Sequence, residues 1–420
     1  MALTAILRLA CGTVGMAGHS QFSRNRWPAG APAVRMAGLS RILTIADMRE
    51  AAQRRLPRVI FDFVDGAAED ELGKAHNTAA LDAVRVTPNY LIDIRERSQK
   101  TELFGQSWDR PVGIAPTGMS NLLWPDADLC LARAALAANV PYILSTAATT
   151  SIEDIGEATE GRFWFQLYAQ SDRETNLDLV RRAREAGAQA LVLTVDAPWP
   201  GKRERDLRNG FSVPFRMSPK TLLDGALHPR WSMRFLANPA PRLATIAAYA
   251  PEGATAGTLA AFMVARISQT LTWDDLAWLR DAWDRPFILK GLQSAADAAR
   301  AKALGVNGII VSNHGGRQLD AAPAPVSVLP AIRAAVGPEM ALILDSGIRR
   351  GSHIGRALAL GADFTLVGRA TLYGVGAAGQ PGAARSLDIL RDELDRFQAQ
   401  TGCPDIGDLG KLEAALPAAA

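Results

Sequence analysis

The sequence predicts an α/β barrel of the (β/α)8 type, with a helical segment before it and one long loop after its fourth strand. Three observations predict this fold. From residue 111 onward eight short apolar runs recur, and most gaps between them carry apolar residues at helical spacing. Glycine closes several of those helical stretches, at Gly187, Gly305, Gly337 and Gly361, where a left-handed residue ends a helix at little cost. The residues just past each apolar run are polar or glycine-rich, as they are where barrel loops carry function. An open, doubly wound sheet is the alternative use of the same elements.

The elements follow in order. Residues 1–38 stand apart: Arg8, Arg24, Arg26 and Arg35 precede the first acidic residue, Asp47, and Ala, Gly and Ser dominate. This composition suits an organelle transit peptide, a disordered tail, or translated upstream sequence ahead of Met36, so the barrel domain is placed at 39–410 and a short tail at 411–420. Residues 44–75 read as helix, with Thr44 as N-cap and an interruption at Leu56-Pro57. The eight apolar runs are Val112–Ala115, Tyr142–Leu144, Phe163–Leu167, Ala190–Val195, Phe287–Leu289, Gly308–Val311, Ala341–Leu344 and Phe364–Val367. Between the fourth and fifth lies an insertion, about residues 200–273. Its 209–242 portion mixes large apolar residues with Arg216, Lys220, Arg230, Arg234 and Arg242. Such a loop either lies on an anionic membrane surface or packs as a lid or subunit contact.

Composition narrows the function. Of 420 residues, 48% are hydrophobic, enough for a full core, and the net charge of +3 is spread along the chain. A nucleic-acid protein would show a basic stripe instead. Cys11, Cys130 and Cys403 are far apart, so neither a metal spacing nor a disulfide framework is visible. No apolar run is long enough to span a membrane.

If the barrel is right, the strand ends converge on one mouth. They supply Pro116-Thr117-Gly118, Ser145, Gln166 with Tyr168, Thr194 with Asp196, Lys290, His314 with Arg317, Asp345 with Gly347, and Gly368-Arg369. The richest is Ser312-Asn313-His314-Gly315-Gly316-Arg317-Gln318-Leu319-Asp320. Histidine suits proton abstraction near neutral pH, and an arginine three residues on offers a planar fork for a carboxylate. A packed histidine beside a surface arginine is the plain alternative. Gly347-Ile348-Arg349 and Gly368-Arg369 end the last two strands, where this fold often holds phosphate; no GxGxxG follows the early strands, so a Rossmann nicotinamide site is unsupported. Lys290 reads as a cation beside developing negative charge or as a Schiff-base lysine. Asp196 either orients His314 or caps a helix.

The Ser312–Asp320 stretch resembles the signature of the FMN-dependent α-hydroxy acid dehydrogenase and oxidase family. Other segments match in order: Gly66-Ala67-Ala68-Glu69-Asp70-Glu71, Trp164-Phe165-Gln166-Leu167-Tyr168, Gly201-Lys202-Arg203-Glu204-Arg205-Asp206, Leu289-Lys290-Gly291 and Asp345-Ser346-Gly347-Ile348-Arg349. The resemblance covers about 40–410 and implies a (β/α)8 TIM barrel that binds FMN and oxidises a 2-hydroxy acid. It implies that His314 takes a proton, Asp196 pairs with it, Arg317 and Arg203 bind the substrate carboxylate, and Tyr168 hydrogen-bonds the substrate. Lys290 is implied to stabilise reduced, anionic FMN. Pro116, Thr117, Gly118, Ser145, Gln166, Thr194, Ser312 and Asp345 are implied to lie around the flavin, and Gly347, Arg349, Gly368 and Arg369 around its phosphate. A homotetramer is common in the family.

Two departures bear on the substrate. Family members usually carry Tyr at the place of Phe63, and glycolate oxidases carry a large aromatic at the place of Ala147. The first weakens the case for lactate or glycolate; the second leaves room for a larger side chain. Leu123-Trp124-Pro125, Ser151-Ile152-Glu153-Asp154 and Arg203–Leu207 are most similar to bacterial (S)-mandelate dehydrogenases, which pass electrons to a membrane quinone. The expectation is therefore a cytoplasmic, peripherally membrane-bound dehydrogenase for a bulky (S)-2-hydroxy acid, with L-lactate, the substrate of the family's flavin L-lactate dehydrogenases, as the other substrate open. A soluble oxidase reducing O2 and a flavin-binding barrel without turnover are the other two readings.

Overall fold

The computed structural model describes residues 36–211, 218–238, 240–251, 254 and 256–416. After a helical turn at Met36–Leu39, helix α1 (Ile45–Arg55) starts at Thr44, whose hydroxyl accepts from the Asp47 N–H while the Asp47 carboxylate accepts from the Thr44 N–H. This reciprocal cap satisfies two donors that a helix start leaves unbonded. Pro57 breaks the helix, because the residue before a proline is driven to extended backbone, and Leu56 sits at φ −91, ψ 141. The stretch read as helix over 44–75 is therefore three helices: α1, α2 (Arg58–Asp65) and α3 (Leu72–Ala83). The second break is a turn at 66–71 with positive φ at Glu69 and Glu71.

Eight parallel strands form the barrel: β1 (Val112–Ile114), β2 (Ile143–Ser145), β3 (Trp164–Leu167), β4 (Ala190–Thr194), β5 (Phe287–Leu292), β6 (Gly308–Val311), β7 (Ala341–Leu344) and β8 (Phe364–Val367). Each pairs with its sequence neighbour from β2 to β8, and β8 pairs with β1. The ring closes between β1 and β2 through the Ile114–Tyr142 bridge, with the Ile114 N–H donating to the Pro141 carbonyl at 2.8 Å. This is a TIM barrel, as expected from eight strand–helix units.

Side chains alternate along a strand, and the alternation divides the core in two. Leu144, Phe165, Leu191, Leu289, Ile309, Leu342 and Leu344 pack outward against the helices. Ile143, Trp164, Val192, Ile288, Ile310, Ile343 and Phe364 fill the interior with Leu103 and Trp108. Those last two belong to a hairpin, Thr101–Leu103 with Gln106–Trp108, which caps the amino-terminal end of the barrel.

Helices α4 (Ala127–Ala137), α5 (Ile152–Thr159) and α6 (Arg173–Glu185) follow β1, β2 and β3, and the insertion after β4 contains α7 (Glu204–Arg208), α8 (Pro219–Leu227), α9 (Pro229–Ala237), a turn of helix at Ala244–Ala247 and α10 (Ala256–Arg266). Of the basic, apolar stretch singled out in the sequence, residues 212–217 and 239 lie outside the described residues, as do 1–35 of the N-terminal extension. The residues set apart as a C-terminal tail pack on the body up to 416. Leu412 is buried, and Ala414–Ala415 pairs antiparallel with Arg85–Val86.

Candidate active site

Alternation also builds the site. Moving two residues along the inward face from the interior core gives Ser145 after Ile143, Gln166 after Trp164, Thr194 after Val192, Lys290 after Ile288, Ser312 after Ile310 and Asp345 after Ile343. The barrel interior thus turns from apolar to polar at its carboxyl end, where a cavity of about 630 Å³ opens. Thr117, Ser145, Thr194, Lys290, Asp345, Gly347, Arg349, Gly368 and Arg369 line it together with Tyr168, Arg203, His314 and Arg317. Phe63, Pro116, Gly118 and Ala147 complete the set expected from the sequence. Gln166, Asp196 and Ser312 stand behind this lining. They hold lining groups: Ser145 Oγ donates to Gln166 Oε1 at 2.8 Å, Lys290 Nζ to Ser312 Oγ at 3.0 Å, and the His314 ring meets Asp196.

The His314 loop is tied to other elements by its own sequence. Asn313 and Asn77 of α3 exchange amide hydrogen bonds at 2.7 Å. The Asp320 carboxylate accepts the N–H of Leu72 and Gly73 at the start of α3, a favourable place for negative charge. Gln318 accepts the Gly201 N–H at 2.8 Å. His314, Gly315 and Gly316 all have positive φ, a conformation costly for histidine and sustained by these ties.

His314 Nδ1 lies 2.9 Å from Asp196 Oδ1, and Nε2 lies 3.2 Å from the Tyr168 hydroxyl. Burial alone would raise the Asp196 pKa, but Lys290 and His314 outweigh it and hold Asp196 below the usual carboxylate value. An ionised carboxylate only accepts, so Nδ1 carries the proton and Nε2 presents its lone pair. Burial pulls the His314 ring below its ordinary pKa, working against Asp196, which leaves the ring neutral near pH 7. Tyr168 is pushed up to about 12, chiefly by burial, and stays a donor. Burial would strip Lys290 of its proton, yet Asp345 at 3.5 Å and Asp196 at 4.0 Å hold its pKa above the ordinary value. Lys290 reaches this position through an irregularity between β5 and β6 at Gly291. Gly291 has φ +107, and a Cβ there would stand 2.5 Å from the Asp196 Cβ, so only glycine lets the two strand ends pass.

Positive charge faces the cavity without its match. Arg317 is pushed down to about 9 by burial and by Arg203 and Arg369. Arg203 forms no ion pair among the described residues. Asp206, buried beside them, is held above the usual carboxylate value by burial, against Arg317 and Arg203. An anion entering here relieves the imbalance. Arg317 donates to the carbonyls of Phe63 and Gly66, and Arg369 to those of Val64, Gly315 and Gly66. The two arginines thereby clamp the carboxyl end of α2 over the mouth, a favourable pairing with that end of the helix dipole, and set Phe63 in the wall. All three nitrogens of Arg369 are engaged this way, which leaves Arg349 and the amino end of the helix Arg369–Ala378 for a phosphate.

The cavity suits FMN on its own chemistry. Gln166 Nε2 and Thr194 Oγ1 are buried without partners, donors that a flavin ring edge satisfies. A Cβ added at Gly368 would meet nothing closer than 3.7 Å, so the backbone there is open to a ligand at a helix start.

The sequence did not single out Asp206, nor the apolar wall formed by Phe211, Leu243, Met263, Val264 and Ile267. Asp206 stood within a matched segment without an assigned role. The wall comes from α10 and the loops of the insertion, for which a lid over the mouth was one of the readings open in the sequence.

A barrel with a polar mouth, a buried lysine, a His–Asp pair and two arginines defines a flavin-dependent oxidoreductase acting on an anionic substrate. Residues 52–414 match the FMN-dependent dehydrogenase family, and the chain belongs to it. It is 44% identical over 368 residues to the (S)-mandelate dehydrogenase of Pseudomonas putida, covering 88% of this chain and 92% of that one. It is 38% identical over 365 residues to the L-lactate dehydrogenase of Pseudomonas aeruginosa (strain LESB58), covering 86% and 95%. The crystal structure of the monotopic membrane protein (S)-mandelate dehydrogenase superposes with a TM-score of 0.85 at 44% identity, covering 88% of this chain and 99% of that one. A structure of mandelate oxidase with 3,3-difluoro-2-hydroxy-3-phenylpropionic acid gives 0.75 at 36%, covering 89% and 99%.

Proposed function

We propose that this chain oxidises an (S)-2-hydroxy acid with a bulky apolar side chain, mandelate or a close analogue, to the 2-oxo acid. The observation that carries the substrate reading is one cavity holding both Arg203 with Arg317 and a wall of Phe63, Ala147, Phe211, Leu243, Met263 and Ile267. The arginines take the carboxylate, with the planar geometry that favours guanidinium. Phe63 stacks on Phe211 with ring centroids 4.6 Å apart, a surface suited to an aromatic side chain. Tyr168 donates to the substrate hydroxyl region, and His314 Nε2 receives a proton there as Asp196 stabilises the imidazolium. FMN, when bound, accepts the two electrons. Lys290 keeps a cation in its cradle, and Arg349 with the backbone at Gly347 and Gly368 holds the phosphate; Arg369 adds charge.

Electrons then pass to a membrane quinone from a protein held peripherally on the cytoplasmic face of the cell membrane, and the chain assembles as a homotetramer. The exposure of Leu223, Leu227 and Met233 on α8 and α9 supports the membrane contact, and no helix among the described residues is long and apolar enough to cross a membrane. Transfer to O2 is the competing acceptor; oxygen uptake during turnover without a quinone would establish it. The substrate reading is tested by Phe63→Tyr. A restored hydrogen bond to a charged group is worth about 1.5–3 kcal/mol, so kcat/KM for L-lactate should rise roughly 10- to 100-fold. An unchanged value would remove Phe63 from the specificity wall.

A further inference from the structure

We propose that a second cavity, between α1, the loop after β1 and helix α9, binds the phosphate of an anionic phospholipid headgroup. This rests on the reading of 209–242 as a membrane contact and adds a defined lipid site to it. The cavity measures about 240 Å³ and adjoins the flavin-type cavity, with Leu123 lining both. Arg55, Arg234 and Arg242 all line it. The Arg55 and Arg234 guanidiniums both lie on the Trp124 ring, 4.6 and 3.9 Å from its centroid.

None of the three arginines forms an ion pair among the described residues. Asp126 also lines the cavity without pairing with any of them. Burial, then Arg234 and Arg230, push Arg55 down to about 10. Three cations converging in a partly enclosed space against one unpaired carboxylate leave an excess of positive charge that an anion offsets, and guanidinium forks match phosphate oxygens.

The surroundings select a lipid over a free phosphate. Trp231 and Phe235 of α9 stack at 4.8 Å in the same lining, and the Trp231 indole N–H donates to the Leu122 carbonyl at 2.9 Å, fixing α9 to the barrel. On these same insertion helices Leu223, Leu227 and Met233 are 63%, 69% and 61% exposed. Apolar side chains that enter the acyl region, with tryptophan and arginine beside them, form the layering of an interfacial anchor.

The test uses full-chain, FMN-loaded protein and two kinds of vesicle, phosphatidylcholine alone and phosphatidylcholine with a quarter phosphatidylglycerol. A cation near an anionic surface contributes about 1 kcal/mol, roughly a fivefold change in affinity. The double variant Arg55→Gln/Arg234→Gln should therefore lose about 25-fold on phosphatidylglycerol vesicles, with flavin content and flavin reduction as in the parent protein. Arg55→Lys/Arg234→Lys keeps the charge but not the planar forks, and should still lose about tenfold; Lys220→Gln, an exposed charge on α8, should lose no more than about fivefold. Retained affinity in the lysine pair would reduce the cavity to general surface charge and overturn the lipid site while leaving the membrane contact standing. Equal binding to both vesicles by the parent protein would overturn it likewise. Absence of vesicle binding by the parent protein would remove the membrane contact itself. Stabilisation by inorganic phosphate, lost in the double variant, would then assign the cavity to a free anion instead.

Discussion

His314 is the residue on which the chemistry turns. Its Nδ1 is committed to an ionised Asp196, so the ring presents a single lone pair, at Nε2, beside the Tyr168 hydroxyl. Replacing it with alanine should leave flavin bound and slow flavin reduction by about 10²- to 10⁴-fold, the usual contribution of a positioned general base; anaerobic stopped-flow absorbance measures both. The pH dependence has a definite sign. The ring must be neutral to accept a proton, and burial holds its pKa below 6.5. The kcat/KM should therefore rise with pH through an apparent value below 6.5 and level off at neutral pH; a limb centred well above 7 would contradict a ring held neutral by burial. This residue was legible in the sequence because a histidine and an arginine share one loop after a buried strand. Its tautomer was not, because that depends on the ionisation of a residue 118 positions away.

At the scale of elements, a buried ion network fixes the segment that carries Arg203. Asp65, at the end of α2, accepts from Arg49 of α1 at 2.6 and 2.9 Å, from Arg205 of α7 at 2.8 Å and from the Tyr373 hydroxyl at 2.8 Å. Arg205 also pairs with Glu71. These contacts fasten α7, which follows Arg203 and contains Asp206, to the helices before the barrel. Burial opposes ionisation of Asp65, but Arg49, Lys74 and Tyr373 outweigh it and depress its pKa far below the usual carboxylate value. The stability it contributes is therefore present above the unfolded pKa near 4 and is lost as pH falls below it. Asp65→Asn should cost about 3–5 kcal/mol in urea unfolding, the range for breaking a buried charge pair, and should raise KM more than it lowers kcat, since α7 carries binding groups. The strands of this element set could be read in advance, since each is an apolar run bounded by turn residues. The network could not, because its members are brought together only by tertiary folding, and the insertion helices could not, because they are short and the prolines that open α8 and α9 also read as breaks.

On the scale of the whole molecule, a closed barrel gathers one inward residue from each strand end into a single mouth, and α2 with the insertion helices closes over it. The arrangement puts a proton acceptor, an anion clamp and an apolar wall in one cavity while the opposite end of the barrel is plugged by a hairpin. The central claim is that this cavity accepts a bulky 2-hydroxy acid and passes its electrons to FMN. The most direct test is the rate of flavin bleaching without oxygen on adding (S)-mandelate, L-lactate and glycolate separately. Fast bleaching by (S)-mandelate, with L-lactate slower and glycolate slowest, is the expected result. Bleaching fastest with glycolate, or none with any acid while flavin is bound, would contradict it.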